Sequence, residues 1–269
     1  IMSIRVISTA DMVNWQDHGV INLTGKDGIC NKYAGDGSHS WAPSVVWRNE
    51  NGKDRFYLYY TNNGTNINVV VADSPTGPFR DEIGKPLIEG WNTKDNKKEG
   101  LDPGVFIDDD GTGYLAYGYT NRGAGIIQLG DDLMSTVGST VDLNAPAFFE
   151  DSELNKIGDT YYYVYADMER GKPTSLGYST SKFPMGPFTY RGIIIDNDGC
   201  DPASWNNHGS IECVNGQWYV FYHRCSRGVQ QHRRLCIEKI EIMEDGTIPE
   251  VKMTSQGIGE PFAPGEVIM

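Results

Sequence analysis

The chain has 269 residues, with 23 Lys and Arg against 36 Asp and Glu, a formal charge of −13. A surface that acidic repels phosphate backbones, so nucleic acid is not expected as a partner. Hydrophobic residues make up 39%, enough for a core, and no apolar run is long enough to cross a bilayer as a helix, so neither a membrane role nor a largely disordered chain is expected.

The 32 Gly and 13 Pro mark many turns, and 15 Tyr with 6 Trp make the chain rich in aromatics. Together they favour an all-β chain with a surface suited to sugars. Cys30, Cys200, Cys213, Cys225 and Cys236 are odd in number and lack metal-ligand spacing. Free buried thiols are expected, with a single bridge as the alternative.

In chain order, residues 3–23 read as strands around Ser8-Thr9-Ala10-Asp11-Met12-Val13-Asn14-Trp15. Trp41-Ala42-Pro43 opens the next strand, and its Trp41 is either a stacking platform for a sugar face or a core plug. Four aromatic runs follow at similar intervals: Phe56-Tyr57-Leu58-Tyr59-Tyr60, Gly113-Tyr114-Leu115-Ala116-Tyr117, Tyr161-Tyr162-Tyr163-Val164-Tyr165 and Trp218-Tyr219-Val220-Phe221-Tyr222. Each comes after a turn carrying Gly or Asp, the signature of a hairpin feeding an inner strand. A second repeat is Ala72-Asp73-Ser74-Pro75-Thr76-Gly77-Pro78-Phe79, matched by Ser181-Lys182-Phe183-Pro184-Met185-Gly186-Pro187-Phe188.

All-β repeats of this length read as propeller blades of four strands. Four aromatic strands make four clear blades, and residues 3–23 supply only the second half of another. The expected architecture is a five-bladed β-propeller with an incomplete first blade. Residues 1–269 are read as one domain, lacking an N-terminal half-blade.

Carboxylates at strand starts on different blades can face each other across a sugar. Asp102, ahead of Pro103, opens an apolar strand, whereas Asp108, Asp109 and Asp110 suit a tight turn. Glu150 follows Phe148-Phe149, and burial among aromatics favours its protonated form, as a general acid requires. His208, in Asn207-His208-Gly209-Ser210, is either a hydrogen-bonding core residue or a ligand of a metal or water cluster. His232-Arg233-Arg234 can bring a cation to a sugar or form a solvated charge run. Trp91, in a polar loop of residues 89–100, either borders the substrate groove or anchors the surface.

These ordered motifs resemble glycoside hydrolase family 43, with the stretch from Arg233 to Gly257 closest to its arabinofuranosidase-like members. The resemblance implies a five-bladed propeller that hydrolyses by inversion with three carboxylates. Glu150 matches the general acid and Asp102 the Asp that tunes it. Arg233, Trp41, Phe149 and His208 are expected to contact substrate. His208 also matches an axial histidine that helps hold Ca²⁺ or water. No cofactor is expected for the chemistry, and any Ca²⁺ would be structural.

The family's base is an Asp upstream of anything matching residues 3–15, so water activation is expected to be crippled in the 269 residues taken alone. The implied reaction releases terminal α-L-arabinofuranosyl groups from arabinoxylan, arabinan or their oligosaccharides. A β-xylosidase and a catalytically silent carbohydrate-binding propeller are the alternatives. The expected partner is plant cell-wall polysaccharide, and a secreted or periplasmic setting is favoured over a cytoplasmic one.

Overall fold

The computed structural model describes residues 3–34, 39–64, 66–90, 99–120, 122–172, 174–197, 207–226 and 229–262. A four-residue helix, α1 (Asn31–Ala34), is the only helix among them. Strands β1 (Ser3–Thr9) and β2 (Trp15–Asn22) form a pair. A four-stranded sheet follows, from β3 (Ser40–Glu50), β4 (Lys53–Asn62), β5 (Asn66–Ala72) and β6 (Ile88–Glu89). The next holds β7 (Gly104–Ile107), β8 (Gly113–Tyr119), β9 (Gly123–Leu129) and β10 (Thr136–Asp142). A third comprises β11 (Phe148–Ile157), β12 (Thr160–Asp167), β13 (Ser175–Ser181) and β14 (Thr189–Ile195). The last has three strands, β15 (Gly209–Val214), β16 (Gln217–Ser226) and β17 (Val229–Ile240).

Strand order within each of these sheets follows or reverses chain order, and β3 with β4, β8 with β9, β12 with β13 and β15 with β16 pair antiparallel. Among the described residues four sheets have three or four strands, as the four aromatic runs led one to expect, and β1–β2 is a pair consistent with a truncated first blade. The four aromatic runs are β4, β8, β12 and β16, each flanked by hydrogen-bonded strands on both sides. Their hairpins follow from turn chemistry. Asn51 and Gly52 have φ of 54° and 85°, and Asn215 and Gly216 have 51° and 76°. Positive φ at both central residues is what a tight hairpin needs, and Asn-Gly reaches it with least strain.

The chain packs as two compact units: Ile1–Ile7, Asp17–Asn144 and Glu150–Leu154, and Ser8–Gln16, Ala145–Phe149 and Asn155–Met269. In the first, Tyr57, Tyr59, Val69, Leu115, Tyr117 and Ile127 meet in one core cluster. In the second, Tyr162, Val164, Tyr178, Ile211, Val220 and Tyr222 do the same. Burying so many tyrosines requires partners for their hydroxyls. Tyr162 donates to the Gly246 carbonyl at 2.8 Å and Tyr165 to that of Pro146 at 2.9 Å. The Tyr178 hydroxyl accepts the Ile248 amide at 2.7 Å. Cys30, Cys213, Cys225 and Cys236 are free thiols, and Cys200 lies outside the described residues.

Candidate active site

In the first unit, Asp102 lies just before β7 with its backbone at φ 50°, the left-handed region that Asp tolerates better than most residues. Two contacts hold it there. Its amide donates to Thr61 Oγ1 at 2.8 Å, and its Oδ2 accepts the Asp151 amide at 3.1 Å. β7 is tied to β3 by the Val105 amide, which donates to Ser44 Oγ at 3.1 Å. The carboxylate is only 4% exposed.

Glu150, on β11, is 5% exposed, and one of its carboxylate oxygens lies within 4.8 Å of one on Asp102. The strand start and the strand that supply the two carboxyls approach closely because of Gly104. A Cβ on Gly104 would run into the Ser152 carbonyl oxygen. Gly104→Ala is therefore expected to shift Asp102 against Glu150 and lower kcat about 100-fold. It should also cost about 1–3 kcal/mol of stability through overpacking. Kinetics beside thermal unfolding check this, and an unchanged kcat would show that the approach at Gly104 does not set the pair.

Two further polar side chains belong to this surrounding and were not singled out from sequence. Glu99 is 2% exposed, three residues ahead of Asp102. Tyr119, at the end of β8, has its phenol pushed above its ordinary pKa by burial first, then by the charges of Glu150, Glu99 and Asp102. The only sequence sign of Glu99 is a charged residue just before the apolar entry to β7. Tyr119 is one more aromatic in an aromatic strand.

Trp41, also in this unit, is 38% exposed and stacks on His39 with centroids 5.8 Å apart and planes 9° from parallel. At that exposure Trp41 is not a core plug. Trp91 lies outside the described residues.

In the second unit, the Phe149 ring is 2% exposed, with the Lys172 ammonium 4.5 Å from its centroid. The ring is packed and covered, unlike the open face of Trp41. Arg233 is exposed on β17, in register with Cys225 on β16. His208 is half-buried ahead of β15, and its amide donates to His223 Nδ1 at 3.4 Å. The two imidazoles sit 6.1 Å apart. Asn207, fully buried, donates its amide to Thr174 Oγ1 at 2.6 Å and so fixes the approach to His208.

Ca²⁺ takes six to eight hard oxygen ligands. Within its own unit His208 offers a nitrogen, so a Ca²⁺ held beside it would take its oxygens largely from water and would have a structural role.

The family model described as "Glycosyl hydrolases family 43" matches residues 1–248. An arabinoxylan arabinofuranohydrolase of Bacillus subtilis (strain 168) is 41% identical, over 94% of this chain and 55% of its own length. A solved B. subtilis arabinoxylan arabinofuranohydrolase, in complex with cellotetraose, is 40% identical with a TM-score of 0.86, covering 96% of this chain and 59% of that one. An α-L-arabinofuranosidase structure from Clostridium thermocellum ATCC 27405 is 37% identical with a TM-score of 0.78, covering 97% and 86%. The chain spans about half the length of the curated relatives it matches. The sheets described above are the blades of an all-β propeller fold. With the family model matched over nearly all of the chain, the chain belongs to glycosyl hydrolases family 43.

Proposed function

We propose that this chain is the catalytic domain of an exo-acting, inverting α-L-arabinofuranosidase, cleaving terminal arabinofuranosyl groups from arabinoxylan, arabinan or their oligosaccharides. The observation that carries the proposal is the buried pair of Asp102 and Glu150, with carboxylate oxygens within 4.8 Å. Two carboxyls so close and so dry do not both ionise readily, so one retains a proton. In this reading the proton stays on Glu150, and Asp102, held by the Asp151 amide, is the charged neighbour that keeps it there.

The reaction then balances without a cofactor. Glu150 gives its proton to the glycosidic oxygen as the bond from that oxygen to the anomeric carbon breaks. Water adds to the opposite face of the sugar, and a general base takes its proton. An inverting acid and base stand about 6.5–9.5 Å apart to admit that water. The Asp102–Glu150 oxygens, within 4.8 Å, are closer than that, in keeping with Asp102 as the tuner that the family resemblance implies and not the base.

The relatives described as arabinoxylan arabinofuranohydrolases support the choice of sugar. Trp41 is the proposed platform for a sugar ring, and Arg233 and His208 the proposed polar contacts, with Phe149 packing behind. Trp41→Ala is expected to raise KM about tenfold with kcat nearly unchanged, because loss of stacking weakens ground-state binding. An unchanged KM would remove Trp41 from the binding surface. The β1–β2 pair is proposed as the outer part of a fifth blade, and residues 1–269 as one catalytic domain. Any Ca²⁺ beside His208 is proposed to be water-coordinated and structural. A polymeric plant substrate fits a secreted or periplasmic setting.

The test is proton NMR of the first sugar released from arabinoxylan, arabinan and xylo-oligosaccharides. Free arabinose, appearing first as the β anomer from an α linkage, is the expected result. Xylose first contradicts the sugar, oligosaccharides contradict exo action, and an initial α anomer contradicts inversion. Sugar binding without any release by the whole protein, its general base included, contradicts catalysis and leaves a binding propeller.

A further inference from the structure

A second site emerges when the two copies of the strand-turn-strand repeat are laid on each other. The pairing Val71 with Arg80 in the first copy corresponds to Thr180 with Thr189 in the second. Both copies end in an aromatic lying against the turn glycine, Phe79 over Gly77 and Phe188 over Gly186. The frame is therefore shared, and the polar residues mounted on it can be compared one by one.

In the first copy the charges neutralise each other. Arg80 donates from Nη2 to Asp73 at 3.3 Å and from Nε to Glu82 at 2.8 Å. Glu82 also takes Arg55 at 2.5 Å. In the second copy the positions of Asp73, Ser74, Arg80 and Glu82 hold Lys182, Phe183, Thr189 and Arg191. Two carboxylates have become two cations.

Both cations are held by neutral oxygens. Lys182 Nζ donates to Thr160 Oγ1 at 2.9 Å and to the Asp159 carbonyl at 3.4 Å. Arg191 Nε donates to Thr180 Oγ1 at 2.8 Å. Among the described residues neither forms a salt bridge, in a chain whose formal charge is −13. They line one cavity of about 390 Å³, together with Thr180, Thr189, Phe183 and Asp245. The Asp245 carboxylate is engaged chiefly by Thr247, accepting its amide at 2.9 Å and its hydroxyl at 2.7 Å, and feels the Arg191 charge more weakly. Phe183 stands on the rim, 64% exposed.

We infer that this cavity is a binding site for a carboxylate-bearing sugar, a uronic acid unit, separate from Asp102 and Glu150. An anionic group satisfies Lys182 and the planar fork of Arg191, which suits a carboxylate. The threonine hydroxyls match sugar hydroxyls, and the open Phe183 ring offers an apolar face for the ring C–H groups. The volume is that of a small-ligand pocket, larger than a bare inorganic anion fills. The site does not depend on the reaction proposed above.

The test is calorimetric titration of the full chain with methyl glucuronoside, its methyl ester, methyl glucoside and inorganic phosphate. Saturable binding of the glucuronoside is expected, about tenfold tighter than the neutral sugars and weakened about tenfold by Arg191→Gln or Lys182→Gln. Phe183→Ala should weaken the glucuronoside and leave phosphate unchanged. Thermal unfolding matching the parent confirms that these exposed substitutions fold. No saturable binding, equal binding of the ester, phosphate binding as tight as the sugar acid, or unaltered binding by both cation variants each overturns the inference.

Discussion

Glu150→Gln is expected to abolish the advantage the enzyme has on natural linkages while leaving the fold in place. Gln matches Glu in shape but carries no proton to give to a leaving oxygen. Loss of general acid catalysis costs about 10²–10⁴-fold in rate. That loss should be greatest for arabinoxylan, whose leaving sugar is a poor leaving group. It should be much smaller for an aryl α-L-arabinofuranoside with an acidic phenol, which departs without full protonation. A series of aryl arabinofuranosides spanning phenol acidity makes the measurement. A steeper dependence on leaving group in the variant is expected, whereas an equal loss for every leaving group would assign Glu150 a role other than proton donor. The residue is 5% exposed, so circular dichroism and thermal unfolding of the variant belong beside the kinetics.

Asp102→Asn is expected to act through Glu150. The amide preserves shape and can still accept the Asp151 amide, so the hydrogen bond at 3.1 Å need not be lost. What disappears is a negative charge within 4.8 Å of the acid. That charge favours the protonated form of Glu150, so its removal lets the proton leave at lower pH. A general acid must be protonated to work, and activity falls as pH rises through its pKa. The alkaline limb of the rate profile should therefore move toward acid by about one pH unit. At neutral pH kcat should drop by up to about tenfold, the factor that a one-unit shift of the acid allows. A fall in kcat with the alkaline limb unmoved would make Asp102 a structural support only. Glu99 is part of the same negative surrounding felt by Tyr119, so Glu99→Gln should move the limb in the same direction by less.

Local chemistry makes part of this molecule legible in its sequence. Asn51-Gly52 and Asn215-Gly216 carry their hairpin geometry in their own backbone preferences, and the aromatic strands follow those turns. The matched copies ending in Phe79 and Phe188 are equally local, because glycine and the aromatic meet within three residues. Asp102 and Glu150 stood out because each sits at an unusual place relative to a strand. Their pairing came only with the family resemblance, since it depends on Gly104 passing the Ser152 carbonyl, a contact between segments far apart in sequence.

The remaining differences have the same origin. Phe149 and Trp41 are both aromatics beside candidate site residues, and only packing shows one buried under Lys172 and the other open. Glu99 reads as an ordinary loop charge until burial is known. Counting aromatic strands anticipated the four larger sheets, and residues 3–23, read as part of an incomplete blade, form the β1–β2 pair. Calcium at His208 came with the resemblance alone, because a single imidazole in the sequence gives no sign of the oxygens such an ion takes.

The most direct measurement is a carbon NMR titration of the Glu150 carboxyl, assigned by comparison with Glu150→Gln, in the parent chain and in Asp102→Asn. The expected result is a parent carboxyl that keeps its proton well above the ordinary Glu value of about 4.3, and a lower titration point once the Asp102 charge is gone. A Glu150 that titrates as an ordinary exposed carboxylate, indifferent to Asp102, would contradict the assignment of the pair.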